Sequence, residues 1–137
     1  MNYALIFYTA RKTGYCEAAL NRTLDNGMME AKNISAAVSS EDFGRQMNYC
    51  LAHYDFVVVI GDVERTDENG LMPVLSAGLG TGEKDFTSQK LMALNTATGY
   101  VLTADNKVVI VLPDEPKDIE RLASVTLINY IKSVVVK

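Results

Sequence analysis

The feature that most constrains the fold is the run FVVVI at residues 56–60, which ends at Gly61. It holds five apolar residues in succession, four of them β-branched. Such a strand fits the middle of a parallel sheet, where helices cover both faces, better than an antiparallel edge where polar and apolar residues alternate. The run therefore predicts the centre of an α/β domain.

Two further short strands are predicted at residues 3–9 and 34–38, and a helical pattern follows each of them. The first helix, CEAALNRTLDN, ends at Gly27, a residue suited to a helix C-terminus. The second, EDFGRQMNYCLAHYD, has Ser40 as its expected N-cap and acidic residues in its first turn. This alternation predicts an α/β sandwich with a mainly parallel sheet, formed by a single domain over residues 1–137.

The second half of the sequence predicts more helices and an antiparallel strand pair. Residues 68–77 are predicted to form a short helix, interrupted near its start by Gly70 and by Pro73, which a helix tolerates only in its first turn. The glycines of AGLGTG follow this helix, so they form a helix-ending loop and lack the strand context of a dinucleotide fingerprint. The remaining predicted elements are a helix at 88–93, strands at 98–103 and 107–112 joined around Asp105 and Asn106, and one long helix from Pro116.

Composition excludes some functions. The formal net charge of −4 over 137 residues argues against nucleic-acid or anionic-membrane binding as a main role. The longest apolar runs are strand-sized and too short for a membrane span. Cys16 and Cys50 form no CxxC motif, and the N-terminus lacks the pattern of an export signal, so we expect a reduced, cytoplasmic protein.

Three loops should meet at the carboxyl edge of the sheet: TARKTGY, GDVERTDENG and PDEP. The first places Arg11, Lys12 and Thr13 before a helix start, where free N–H groups and the helix dipole favour an anion; a merely capped, solvated loop is the alternative. Gly61 would allow a ligand or a neighbouring loop to approach the strand end closely, or would serve a simple sharp turn.

Acidic residues crowd the second loop. Asp62, Glu64 and Asp67 are candidate oxygen ligands for a divalent cation such as Mg²⁺, although a run of acids is more often solvated surface. Without a metal, these charges would repel a phosphate. His53 is the only histidine and suits a structural role at a helix C-terminus, and the spacing supports no catalytic triad.

Four motifs occur in an order typical of one family. They are RKTGYCEAALNRTLDNG with Thr13 and Gly14, VSSEDF with Ser40, DFVVVIGDVERTDEN with Asp55, Gly61, Thr66 and Glu68, and LPDEPKDIERL with Asp114. The chain resembles the molybdopterin-binding domain family of MoaB, MogA and the N-terminal part of CinA. The resemblance covers nearly the whole chain and implies a three-layer α/β sandwich.

The resemblance also implies an activity and a ligand site. Active members adenylylate molybdopterin or insert molybdate, so a pterin or nucleotide ligand, Mg²⁺ and a homo-oligomer are expected. Asp67 and Glu68 are the candidate catalytic residues. The implied ligand-binding residues are Thr13, Gly14, Ser40, Gly61, Asp62, Thr66 and Asp114.

The sequence departs from the family pattern where acids replace glycines, at Asp62, Glu64 and Asp114. In the family these glycines let backbone amides approach the phosphates, so each change adds a side chain and a negative charge there. The leading hypothesis is therefore a catalytically degenerate relative that acts in binding or interaction. One alternative is an active adenylyltransferase that uses ATP and Mg²⁺ held by the acidic loop. Another is a flavodoxin-like FMN electron carrier, because IFYTARKTGYCEAAL resembles a strand, phosphate loop and helix.

Overall fold

The computed structural model describes residues 1–25, 28–63, 70–80, 87–92, 98–104 and 107–135. Within them, the strands are β1 (Asn2–Tyr8), β2 (Glu30–Ala37), β3 (Phe56–Gly61), β4 (Thr87–Met92), β5 (Thr98–Ala104) and β6 (Lys107–Pro113). The helices are α1 (Thr13–Leu24), α2 (Ser40–His53), α3 (Leu71–Gly80), α4 (Pro116–Leu122) and α5 (Val125–Val135). None of these helices is long and apolar enough to cross a membrane.

The strands form one mixed sheet in the order β2-β1-β3-β6-β5-β4. Strands β2, β1, β3 and β6 run parallel, whereas β5 lies antiparallel to both β6 and β4. All six residues of β3 are buried, as the unbroken apolar run predicts for a strand covered on both faces. The predicted fold class, with its antiparallel pair near the C-terminus, is confirmed.

Helices cover both faces of the sheet, and the alternation of side chains along β1 separates two apolar layers. Tyr3, Leu5 and Phe7 pack in the layer that includes α1, α4 and α5. Ala4, Ile6 and Tyr8 pack in the layer that includes α2 and α3. Each fully buried large apolar side chain contributes about 1.5–3 kcal/mol, so the two layers together stabilise the sheet that carries the loops.

Two predicted elements in the second half are wrong. Residues 88–93 were expected to be helical, but β4 occupies 87–92 and pairs with β5, so hydrogen bonding between strands overrides the local helical preference. Gly78 and Gly80 were expected in a loop, yet both lie within α3. Pro73 is the third residue of α3 and therefore lies in its first turn, where a helix tolerates proline. Gly27, Gly82, Asp105 and Asn106 lie outside the described residues.

The single long helix predicted from Pro116 is also wrong, because the chain breaks between α4 and α5. Ala123 leaves the helical conformation at ψ 61°. Ser124 then starts the second helix, since its Oγ accepts a hydrogen bond from the Leu127 N–H at 3.4 Å. A capping residue inside the apolar pattern thus turns one helix into two.

The N-cap of α2 is Ser39 and not the predicted Ser40. The Ser39 backbone is extended, at φ −150° and ψ 166°, and its Oγ accepts a hydrogen bond from the Asp42 N–H at 3.1 Å. The Asp42 carboxylate accepts in turn from the Val38 N–H at 3.2 Å. Ser40 is the first helical residue and lies exposed. The tandem serines made the two positions indistinguishable in the sequence.

Replacing Ser39 by alanine is expected to lower the free energy of unfolding by about 1 kcal/mol, because the Asp42 N–H loses its acceptor. Ser40→Ala is the matched control and should change stability by less than about 0.5 kcal/mol, as for other exposed sites. Urea denaturation of both variants measures the difference. Equal effects, or a larger effect at Ser40, would contradict the cap assignment.

Candidate functional site

The carboxyl ends of the central strands meet at one edge of the sheet, as predicted. Tyr8 of β1 pairs with Gly61 of β3, and Gly61 pairs with Pro113 of β6. The residues that follow these three strands therefore lie side by side. This edge is the candidate functional site.

The carboxylate of Asp114 occupies the backbone donors at the start of α1. Its Oδ2 accepts a hydrogen bond from the Arg11 N–H at 2.7 Å, and its Oδ1 accepts one from the Lys12 N–H at 3.1 Å. Lys12 is the N-cap position of α1, so the helix dipole also favours the negative charge. The chain thus supplies its own anion at two of the donors from which the sequence predicts anion binding.

An ion pair holds the same two loops together. Lys12 Nζ lies 2.7 Å from Glu115 Oε2, and both side chains remain partly exposed. The hydrogen bond between them raises the pKa of Lys12 and lowers the pKa of Glu115. Because an exposed pair adds little stability, its main effect is on geometry: it keeps the Lys12 ammonium beside α4.

Cys16 lies beneath this contact. Its side chain is fully buried, and its Sγ donates to Asp114 Oδ1 at 3.5 Å. Burial, followed by the hydrogen bond and the charge of Asp114, raises the pKa of the thiol to about 12. Cys16 is therefore protonated at neutral pH and is not a nucleophile.

Gly61 is required by the packing of the strand itself. A Cβ at this position would lie 2.4 Å from the carbonyl oxygen of Tyr8 and 3.1 Å from Leu71 Cδ2. None of the described glycines has a positive φ, so the constraint is close approach and not backbone conformation. The groups that approach Gly61 are β1 and α3. Asp62 follows it and is exposed.

Thr13 and Gly14, predicted ligand-binding residues, directly follow Lys12, whose N–H binds the Asp114 carboxylate. They are the first two residues of α1 and are exposed. With Phe7 and Ile34 they line an open cleft of about 300 Å³ between α1 and β2. The predicted site is therefore spread along the sheet edge, and Ser40 lies on a further element, at the start of α2.

Four predicted residues, Glu64, Thr66, Asp67 and Glu68, lie outside the described residues. The catalytic candidates and the proposed ligands for Mg²⁺ other than Asp62 therefore remain predictions. Within the part of the chain that the structure describes, no group of three or more His, Cys, Asp or Glu side chains is placed to hold a metal ion.

Thr9 and His53 also lie near strand ends. Thr9, directly after β1, adopts a left-handed backbone with φ 55°, which is uncommon for a β-branched residue and which nothing in the sequence indicates. His53 ends α2, where its Nδ1 lies 2.8 Å from the Tyr49 carbonyl oxygen and its ring stacks on Tyr49 at 4.1 Å. The position of His53 agrees with its predicted place at a helix C-terminus.

No protein-family model matches the chain, and no curated protein sequence matches it. Solved structures do match over nearly its whole length. A molybdenum cofactor biosynthesis protein B superposes with a TM-score of 0.71 at 12% identity, covering 99% of this chain and 94% of the other. A CinA protein of unknown function from Thermoplasma acidophilum gives a TM-score of 0.66 at 15% identity, covering 98% and 97% of the two chains.

A structure of MogA gives a TM-score of 0.67 at 12% identity and covers 98% of this chain and 99% of the other. The predicted resemblance to the MoaB, MogA and CinA proteins is thereby confirmed in three dimensions. At these identities the likeness establishes a shared fold and carries no conclusion about activity.

Proposed function

We propose that the chain is a relative of the molybdenum-cofactor biosynthesis proteins that no longer transfers adenylyl groups and that acts through binding or interaction. The shared fold supports the relationship. The single observation that carries the loss of activity is the Asp114 carboxylate on the Arg11 and Lys12 N–H groups.

A phosphate cannot share these donors with Asp114 without cost. Two unit charges about 4 Å apart repel each other by roughly 4 kcal/mol near a protein surface. To bind there, a phosphate would have to displace a carboxylate that already has two charge-assisted hydrogen bonds, each worth about 1.5–3 kcal/mol. The described residues therefore do not fit a pterin phosphate or a nucleotide phosphate at this position.

The start of α2 is occupied in a similar way. The Asp42 N–H donates to Ser39 Oγ, and the Val38 N–H donates to the Asp42 carboxylate. The starts of both α1 and α2 are therefore capped by the protein's own side chains. Nothing in the described residues specifically favours an active adenylyltransferase. Strand β5, which runs antiparallel to both β6 and β4, also distinguishes the sheet from the five parallel strands of a flavodoxin-like fold.

Incubation of the purified protein with molybdopterin, ATP and Mg²⁺ tests this proposal. We expect no adenylylated pterin, and a change in Tm of less than about 1 °C on adding ATP and Mg²⁺, because a ligand that does not bind does not stabilise the fold. An active MogA protein run in parallel is the positive control. Accumulation of adenylylated pterin that requires both the protein and ATP would refute the proposal.

A further inference from the structure

We propose that the cleft where helices α4 and α5 meet strands β4 and β5 binds a small carboxylate that carries an apolar group. This inference goes beyond the proposed function and does not depend on it, since none of the described residues that line the cleft contacts the Asp114 carboxylate. It rests on the break between the two helices, on the Arg121 guanidinium and on the apolar floor of the cleft.

The break between α4 and α5 brings side chains from both helices to one cleft. Arg121 lies in the last turn of α4 and Tyr130 in α5, and both line the cleft, as does Ser124 at the break. In one continuous helix of 3.6 residues per turn, Arg121 and Tyr130 would be about two and a half turns apart and would face opposite sides. The Tyr130 hydroxyl is bonded to Thr103 Oγ1 at 3.0 Å, which fixes this wall. The cleft has a volume of about 280 Å³, close to the lower limit for small-molecule sites.

Three buried aliphatic side chains form the floor of the cleft. They are Val101 of β5, Leu122 of α4 and Leu127 of α5, each no more than 5% exposed. All three belong to the apolar layer that includes α1, α4 and α5, so close packing on the sheet fixes their positions without a ligand. An apolar group of a ligand that covers this floor would leave water, and its transfer from water favours binding.

Arg121 supplies the charge that selects an anion. It is the only charged residue among the described residues of the lining, and its guanidinium forms no ion pair with another described residue. The acid next to it in α4, Glu120, binds Arg22 of α1 instead. A guanidinium can bind a carboxylate through two parallel hydrogen bonds. A positively charged cleft in a chain of net charge −4 is a local site for an anion.

The remaining polar groups of the described lining are neutral, and they favour a carboxylate over a phosphate. Ser124 Oγ accepts a hydrogen bond from the Leu127 N–H at 3.4 Å, which leaves its O–H to donate to a ligand. Thr126 adds a second hydroxyl, and Gln89 of β4 adds an amide. One guanidinium balances the single charge of a carboxylate, whereas the second charge of a phosphate would have no cation among these residues and would lie beside the apolar floor. The lining therefore fits a monocarboxylate with an alkyl or aryl group.

Titration of the full chain with phenylacetate, followed by ¹H–¹⁵N NMR, is the first test. We expect saturable shifts of the backbone amides of residues 122–127, with a Kd of about 1 mM or tighter. Phenylacetamide has nearly the same shape without the charge, and it should bind at least about tenfold more weakly because the charge-assisted hydrogen bonds are lost. Inorganic phosphate should cause no saturable shift at these residues. No saturation with phenylacetate, equal affinity for the amide, or tighter binding of phosphate would overturn the proposal.

Replacing Arg121 by glutamine tests the group that binds the carboxylate. Arg121→Gln should weaken phenylacetate binding at least about tenfold, because the guanidinium and its charge are lost. Lys132→Gln is the matched control: it removes the same charge from the last turn of α5, outside the described lining, and should leave the Kd unchanged. Both residues are exposed, so both variants should fold with nearly the Tm of the unmutated protein. Equal weakening in the two variants, or none in Arg121→Gln, would contradict the assignment.

Discussion

Replacing Gly61 by alanine is expected to lower the free energy of unfolding by about 3 kcal/mol, at the upper end of the cost of overpacking a core. The added Cβ would lie 2.4 Å from the Tyr8 carbonyl oxygen, which is backbone in the neighbouring strand and cannot rotate away. The strands β1 and β3 must therefore separate locally, and Leu71 of α3 must also give way. Because whole domains are stable by only about 5–15 kcal/mol, urea denaturation will measure this loss clearly.

Gly14→Ala is the matched control. A Cβ at Gly14 has nothing within 4 Å, and the residue lies in α1. Alanine is the better helix former, so this variant should be neutral or more stable by up to about 0.5–1 kcal/mol. Comparison of the two variants distinguishes Gly61, where packing leaves no room for a Cβ, from Gly14, where a Cβ has open space. A Gly61→Ala protein as stable as the unmutated one would show that the strands are not packed as described.

Replacing Asp114 by glycine, the residue that the family pattern has at this position, is expected to create weak phosphate binding. The Arg11 and Lys12 N–H groups lose their carboxylate partner, and Lys12 and the start of α1 then favour an external anion. Titration with inorganic phosphate followed by ³¹P NMR should give a millimolar Kd, about 4 kcal/mol of binding free energy, where the unmutated protein gives no saturation. The variant should also be about 3 kcal/mol less stable, because two charge-assisted hydrogen bonds of about 1.5–3 kcal/mol each are lost and water replaces part of that loss at the exposed donors.

Two substitutions serve as controls for Asp114→Gly. Asp114→Asn removes the charge but keeps a side-chain oxygen near the donors, so its phosphate affinity should fall between those of the glycine variant and the unmutated protein. Asp118→Asn removes one carboxylate from the first turn of α4 and should not create phosphate binding. Phosphate binding of equal strength in the unmutated protein would mean that Asp114 does not block the site.

Much of the fold could be predicted from the sequence because the local pattern of apolar residues identifies the central strands. The run at residues 56–60 requires cover on both faces, and β3 has it. The predictions that failed depended on partners far along the chain. The residues of β4 have no strong strand pattern and become a strand because β5 lies beside them. The break between α4 and α5 depends on one capping hydrogen bond at Ser124, which a continuous apolar pattern does not indicate.

The candidate site was predicted in outline but not in its contacts. Comparison with the family motif identified Asp114 as an acid in a position where the family has glycine. The loop before the first helix indicated that Arg11 and Lys12 could favour an anion. The sequence could not reveal that these groups bind each other, because about a hundred residues separate them. Only the order of β1, β3 and β6 in the sheet brings the two loops together.

The sequence by itself determined the α/β class, the buried central strand and the acidic character of the loops, because hydrophobic patterning and charge are local properties of the chain. The tertiary structure decided which groups satisfy the donors at the start of α1 and why Gly61 has no side chain. Hydrogen bonds and close contacts join residues that are distant in sequence, so they are fixed only once the strands have paired. Only the tertiary structure shows that Asp114 is the internal hydrogen-bond acceptor for the N–H groups of Arg11 and Lys12.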